Sequence, residues 1–203
     1  MYLQFGMTVV GSDGNAAGTL DHVLVAASRR EVTHVVVRSP EVSEDVLLPL
    51  NLVQGNAGDA LLLQVPSAAL GQMARYYEGR TSSPPAGRVD TAIVGEPAER
   101  RQSFEDALAV PADALQYGPE TRVATRDGAT GRLVGLGAGL YVNRLSELRA
   151  GGLGDQEVSV PEPWIGALEA DAIIVTAAAS ELGHLVGVPA NAASGDAGGA
   201  AAG

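Results

Sequence analysis

A repeat with constant spacing is the feature that most restricts how this 203-residue chain can fold. The segment Asp59–Leu63 returns as Asp171–Val175, and 171 minus 59 is 112. The segment Asp45–Pro49 matches Glu157–Pro161 at the same spacing, since 157 minus 45 is also 112. Apolar segments that recur together at one spacing indicate a duplication. The sequence therefore predicts two copies of one small domain.

The composition favours β-structure and argues against nucleic acid as a partner. The chain has 26 glycines and 11 prolines, and aromatic residues make up 4%, which is typical of short strands joined by many turns. The net charge is −11, so the surface as a whole repels phosphate backbones. Hydrophobic residues make up 46%, enough for a folded core.

Three absences in the sequence narrow the class of protein. Without cysteine, disulfides and thiolate metal sites are excluded. The first ten residues lack the basic start and long apolar run of a signal peptide. No apolar run approaches the roughly 18 residues that span a bilayer. From the sequence we expect a soluble, cytoplasmic protein.

The first copy reads as a series of strands that ends in a short helix. Asp13-Gly14 predicts a turn between the first two strands, and a helix beginning at Pro66-Ser67 covers one end. Leu62 and its counterpart Ile174 are expected in the interiors. The predicted strands, in order, are Met7–Val10, Gly18–Ala27, Val32–Arg38, Val46–Leu50 and Leu61–Val65.

This order of elements resembles the PRC-barrel family, a β-barrel module of the photosynthetic reaction-centre H subunit and of a ribosome-maturation factor. The resemblance implies an all-β fold of two PRC-like barrels in tandem, each closed by a short helix, and a role in assembly or as an adaptor. It covers residues 5–76 and rests on Asp13-Gly14, Gly18, Val32–Val37, Asp45–Pro49 and Leu61–Leu63 with the helix that follows.

The repeat also predicts the domain boundaries. We expect the first copy over residues 1–78, a Pro- and Ser-rich linker over 79–110, the second copy over 111–187 and a disordered tail over 188–203. The second copy departs from the pattern in its central hairpin, where Leu145–Arg149 is less apolar than Val32–Val37. This hairpin is expected to be bent or bulged, or to have one edge covered by the other copy.

Two patterns suggest chemistry, and each has a simpler structural interpretation. Gly135, Gly137 and Gly139 are spaced as in a phosphate-binding loop, but no helix start follows them, so glycines that ease a bent strand are favoured. His22 and His34 lie on neighbouring predicted strands. The expected register places them on opposite faces with no carboxylate fixed beside them, which argues against zinc binding or catalysis. A one-residue shift of register would bring them together.

The remaining candidates are a loop, a histidine and a tryptophan. Glu41–Asp45 carries three carboxylates but lacks the ligand spacing of an EF-hand, so an exposed acidic turn is expected. His184 aligns with Gln72 and is expected on the surface. Trp164 aligns with Leu52 and is interpreted as a core or capping residue, or else as an exposed anchor for a partner.

No residue is therefore predicted to be catalytic, to bind a cofactor or to bind a metal, and no serine stands in a nucleophile elbow. We predict a non-catalytic interaction or assembly module that binds another protein, or itself as a homo-oligomer. Two alternatives stay open: a small-molecule binder in the cleft between the barrels, and a factor associated with ribosome or RNA maturation.

Overall fold

The computed structural model of the chain describes residues 1–40, 45–73, 75–77, 80–81, 110–139, 143–154 and 157–182. Most of these residues form β-structure in two mixed sheets, which confirms the predicted β-rich class. The predicted linker is largely outside the described residues, and the predicted tail is wholly outside them. The strands are β1 Tyr2–Gln4, β2 Thr8–Val10, β3 Ala16–Ala26, β4 Glu31–Arg38, β5 Asp45–Pro49, β6 Val53–Ala57, β7 Ala60–Leu63, β8 Arg75–Tyr77, β9 Arg80–Thr81, β10 Ala114–Tyr117, β11 Arg122–Ala124, β12 Thr130–Ala138, β13 Leu145–Gly151, β14 Val158–Pro161, β15 Ile165–Leu168 and β16 Ala172–Val175.

The two sheets repeat one topology. The first contains the path β6-β7-β2-β3-β4-β5, continued by β8 and β9, and the second contains the matching path β15-β16-β11-β12-β13-β14. In each path one pair is parallel, β2 with β7 and β11 with β16, and the remaining pairs are antiparallel. A short helix follows β7 and β16 along the chain, a 3-10 helix at Ser67–Gln72 and an α-helix at Ala179–Leu182.

The repeat extends to irregularities in the ladders. The β3–β4 pairing shifts register between Leu20 and His22, and the β12–β13 pairing shifts between Leu133 and Gly135. The β2–β3 pairing contains a bulge, because Val9 pairs with Gly18 and Val10 pairs with Ala16. The equivalent pairing of β11 with β12 has no bulge. The extra residue in β3 changes the sequence spacing between equivalent positions in the two halves. The spacing is 114 from β2 to β11 (9 to 123) and 113 from β3 to β12 (20 to 133). This change hides the middle of the repeat from a sequence comparison at fixed spacing.

Each six-strand path must curl on itself. Laid flat, five strand spacings would hold β5 and β6 about 24 Å apart. The 3-10 helix Leu50–Leu52 joins them directly and spans only roughly 6 Å. Glu162–Trp164 makes the same short connection between β14 and β15. The edge strands of each path therefore meet at one corner, although no ladder closes between them within the residues that the structure describes.

The two sheets exchange their leading strands. β1 precedes the first path but pairs with β12 of the second, with Leu3 opposite Leu136. β10 precedes the second path but pairs with β3 of the first, with Tyr117 opposite Val23. Each exchanged strand fills the stretch of edge that β2 or β11 is too short to cover. The exchange follows the same pseudo-twofold relation as the rest of the fold.

The hydrophobic core runs through both halves. One continuous cluster of buried side chains includes Val9 and Leu61 from the first sheet together with Val123 and Ile173 from the second. A separate cluster, formed by Leu24, Val36, Leu47 and Tyr76, packs on the outer face of β3, β4 and β5. The first sheet therefore buries side chains on both of its faces.

Two sequence predictions about these strands need correction or refinement. The prediction that Leu62 and Ile174 lie in the interior is wrong, because both are half-buried while their neighbours Leu61 and Ile173 are fully buried. The central hairpin of the second half is formed by β12 and β13, and both expected departures occur in it. It is bulged, and its outer edge is covered by β1.

Candidate functional site

The seam between the two halves holds two clefts at pseudo-equivalent positions. The larger, of about 880 Å³, is lined by Tyr2 and its neighbours on β1, by the β6–β7 turn and by β13. The smaller, of about 260 Å³, is lined by His22, by residues 116–121 and by the β15–β16 turn. Strand exchange creates both, since each cleft lies beside an exchanged strand.

Polar contacts of Tyr2 organise the larger cleft. The Asn56 side chain accepts a hydrogen bond from the Tyr2 amide at 2.8 Å and donates to the Tyr2 carbonyl at 2.6 Å, so the exposed turn extends the β1 backbone pairing. The Arg149 guanidinium stacks 4.4 Å from the centre of the Tyr2 ring. Beside it, Ser159 donates to the Glu147 carboxylate at 2.8 Å. Burial raises the pKa of Tyr2 far above its usual range, against the opposite effect of Arg149.

A row of charged groups leads to the smaller cleft. Arg38 contacts Asp21 at 2.7 Å, and the second oxygen of Asp21 lies 2.6 Å from Nδ1 of His22. The prediction that no carboxylate stands beside this histidine is therefore wrong. The other side of the ring packs against Gly118, where a β-carbon would lie 2.4 Å from Nε2. The Gly118 backbone therefore covers one side of the His22 ring, and the imidazole still lines the smaller cleft.

The two histidines lie on the same face of the first sheet, which corrects the predicted register. His22 pairs with Val36, and His34 pairs with Leu24. Paired residues share a face, as do residues two apart on one strand, so both imidazoles project from the same side. The bulge at Asp21 produces the one-residue shift. His34 is almost fully buried, at 1% exposure.

Metal binding finds no support in the part of the chain that the structure covers. No group of three or more histidine and acidic side chains there could hold an ion. Residues 41–44 of the predicted acidic loop, and His184, lie outside the described residues.

The glycine run belongs to β12, not to a phosphate-binding loop. Gly135 and Gly137 lie within this strand, next to its two bulges. A β-carbon at Gly135 would lie 2.5 Å from the Leu3 carbonyl oxygen, and one at Gly137 would lie 2.5 Å from Cγ of Glu147. These glycines allow β1 and β13 to approach β12 closely. The spacing of the glycines in the sequence does not reveal this role.

One sheet edge differs between the halves. In the first half β5 is covered by β8, with Val46 opposite Arg75. The equivalent strand β14 pairs with β13, and no strand among the described residues covers its other edge. Nearby Trp164 is half-buried and packs against the core, in agreement with a capping role.

No model of a known protein family matches the sequence, and no curated protein matches it either. No helix in the described ranges is long and apolar enough to cross a membrane.

Proposed function

We propose that this protein is a non-catalytic interaction module that binds an extended segment of a partner protein along β14. The observation that carries the proposal is the difference between equivalent edges, since β5 is covered by β8 and β14 has no such cover within the described chain. An unpaired strand presents backbone donors and acceptors to which a further strand can add.

The position of a proline identifies which backbone groups face the partner. Pro161 pairs with Glu147 of β13, and since proline has no N–H, its nitrogen fits only where it points away from the neighbouring strand. Backbone groups alternate sides along an antiparallel pair, so the N–H and carbonyl of Ser159 point toward the free edge. Val158 and Val160 stay buried in the core and hold the strand in place.

Charge indicates the chemistry of the partner. The chain carries a net charge of −11, and the exposed Glu157 and the half-buried Glu162 flank β14. Glu162 already contacts Arg144 at 3.0 Å, so the segment that fits is an extended sequence with a basic residue beside the exposed Glu157. The resemblance to PRC-barrel modules supports this proposal. On that basis each curled path is a PRC-like barrel, and the protein works as an adaptor in the cytoplasm.

Peptide display against the immobilised full chain tests this proposal. Ser159→Pro removes the outward N–H, and Ser159→Ala is its matched control because both variants lose the hydroxyl bond to Glu147. We expect peptides that bind the native chain and Ser159→Ala but bind Ser159→Pro at least about tenfold more weakly. Equal binding to all three folded proteins would contradict the proposal.

A small-molecule binder is the second candidate, favoured by the cleft of about 880 Å³. That volume is within the range of ligand sites. A ligand of the native chain would raise the melting temperature by mass action, and Arg149→Ala would reduce the rise. A metabolite screen at millimolar concentration with no shift would remove this candidate.

A further inference from the structure

At each crossing of the exchanged strands, a side chain on one strand faces a glycine on the other. Gln4 of β1 lies opposite Gly135 of β12. Continuing the β10–β3 register by one pair from Tyr117 and Val23 places Gly118 opposite His22. These two pairs are pseudo-equivalent, but the glycine is on the exchanged strand in one and on the receiving strand in the other.

Neither glycine can be replaced without a collision. A β-carbon on Gly118 would lie 2.2 Å from Cδ2 of His22, whose ring is held on its other side by Asp21. A β-carbon on Gly135 would lie 2.5 Å from the Leu3 carbonyl oxygen and 2.9 Å from Cα of Gln4. Atoms at such separations overlap. Gly118 therefore leaves room for the His22 ring, and Gly135 leaves room for the β1 backbone.

The His22–Gly118 crossing prevents a first half from pairing with another first half. If β1 took the place of β10 on the first sheet, Gln4 would stand where Gly118 is, and its β-carbon would collide with the His22 ring. The reverse replacement, of β1 by β10 on the second sheet, meets no such collision, because Gly118 has no side chain and Gln4 is exposed at that position.

We propose that the seam is a directional protein–protein interface, in which β1 recognises a second half and is excluded from a first half. The partner that fits β1 is thus the complementary half of this chain, supplied by the same molecule. His22 and Gly118 determine this specificity. The proposal is independent of the free edge of β14, which lies on the other side of β13.

The pairing is tested by cutting the purified full-length protein at a protease site inserted within residues 82–109. Native mass spectrometry then distinguishes pairs of unlike halves from pairs of like halves by mass. We expect one first half with one second half in each complex. Complexes of two first halves, or halves that separate as monomers, would overturn the proposal.

A double-mutant cycle on the cut protein tests the specificity residues. Gly118→Ala should weaken association of the halves at least about tenfold, and combining it with His22→Ala should restore the affinity to within about threefold of His22→Ala alone. Gly154→Ala is the matched control, because nothing lies within 4 Å of a β-carbon there. A neutral Gly118→Ala, or a double variant no tighter than Gly118→Ala, would show that steric complementarity does not set the pairing.

Discussion

Asp13 and Asp127 hold the same structural position in the two halves, at the turns that follow β2 and β11. Asp13 accepts hydrogen bonds from the Ser67 amide at 3.2 Å and from the Ser67 hydroxyl at 2.9 Å. Asp127 accepts from the Ala179 amide at 3.2 Å. Each aspartate therefore caps the helix that follows the last strand of its own half. The sequence predicts the Asp-Gly turn, but not the cap more than fifty residues away.

The cap makes stability depend on pH. Hydrogen bonds from Asn15, and then from Ser67, lower the pKa of Asp13 to about 2. A lowered folded-state pKa means stability that is present above the unfolded value and lost as pH falls through the folded value. Asp13→Ala should therefore lower the melting temperature by a few degrees at neutral pH, and the difference from native protein should shrink between about pH 4 and pH 2.

Thermal melts of Asp13→Ala and of Asp59→Ala, which removes the same charge from an exposed turn before β7, measure this effect. A melting-temperature difference between Asp13→Ala and native protein that persists unchanged at pH 2 would contradict the cap.

The core strands provide a second test at the scale of single residues. Leu61 and Ile173 are fully buried, so replacing either by alanine should cost about 2–5 kcal/mol of unfolding free energy. The adjacent Leu62 and Ile174 are half-buried, and their alanine variants should cost clearly less. Urea denaturation measures all four variants. Equal losses for adjacent residues would contradict the observed strand faces.

A bulge explains why the histidine faces could not be predicted. Strict alternation along β3 places His22 and His34 on opposite faces, and the extra residue at Asp21 reverses that result. The turn and the β-branched strand identify the hairpin, whereas the bulge is visible only in the observed pairing of β3 with β4. Sequence patterns of period two contain no signal for it.

At the scale of elements, the exchange of β1 and β10 was beyond sequence analysis. Tyr2–Gln4 is too short to show periodicity, and its partner lies more than 130 residues away along the chain. The strands β3, β4, β5 and β7 are long or strongly apolar, and for them the sequence predicts both position and order. The parallel pairing, β2 with β7 and β11 with β16, is a non-local contact that only the structure reveals.

The exchange predicts a reciprocal response to mutation. Leu3 and Tyr117 are fully buried, and each belongs to one half while packing in the sheet of the other. Leu3→Ala should speed amide hydrogen exchange at residues 135–137 more than at 23–26, and Tyr117→Ala should do the reverse. Mass-resolved hydrogen exchange under native conditions measures both. Faster amide hydrogen exchange confined to the half that carries the mutation would contradict the pairing of each leading strand with the other half.

At the scale of the whole molecule, the shared core predicts one cooperative unfolding transition. Trp164 is the only tryptophan, and it packs in the second half of the continuous cluster. Its fluorescence and the far-UV circular dichroism should therefore report the same urea midpoint. Leu61→Ala, a change in the first half, should lower both midpoints together. An unchanged urea midpoint of Trp164 fluorescence in this variant would show that the halves unfold independently.

The central claim is that two copies of one β-unit are interlocked by their leading strands. Nuclear Overhauser contacts between backbone protons on opposite strands test it most directly, recorded on the full chain. The structure predicts contacts from Leu3 to Leu136 and from Tyr117 to Val23. Contacts from Leu3 to Val23 and from Tyr117 to Leu136 would instead place each leading strand on its own half and contradict the account.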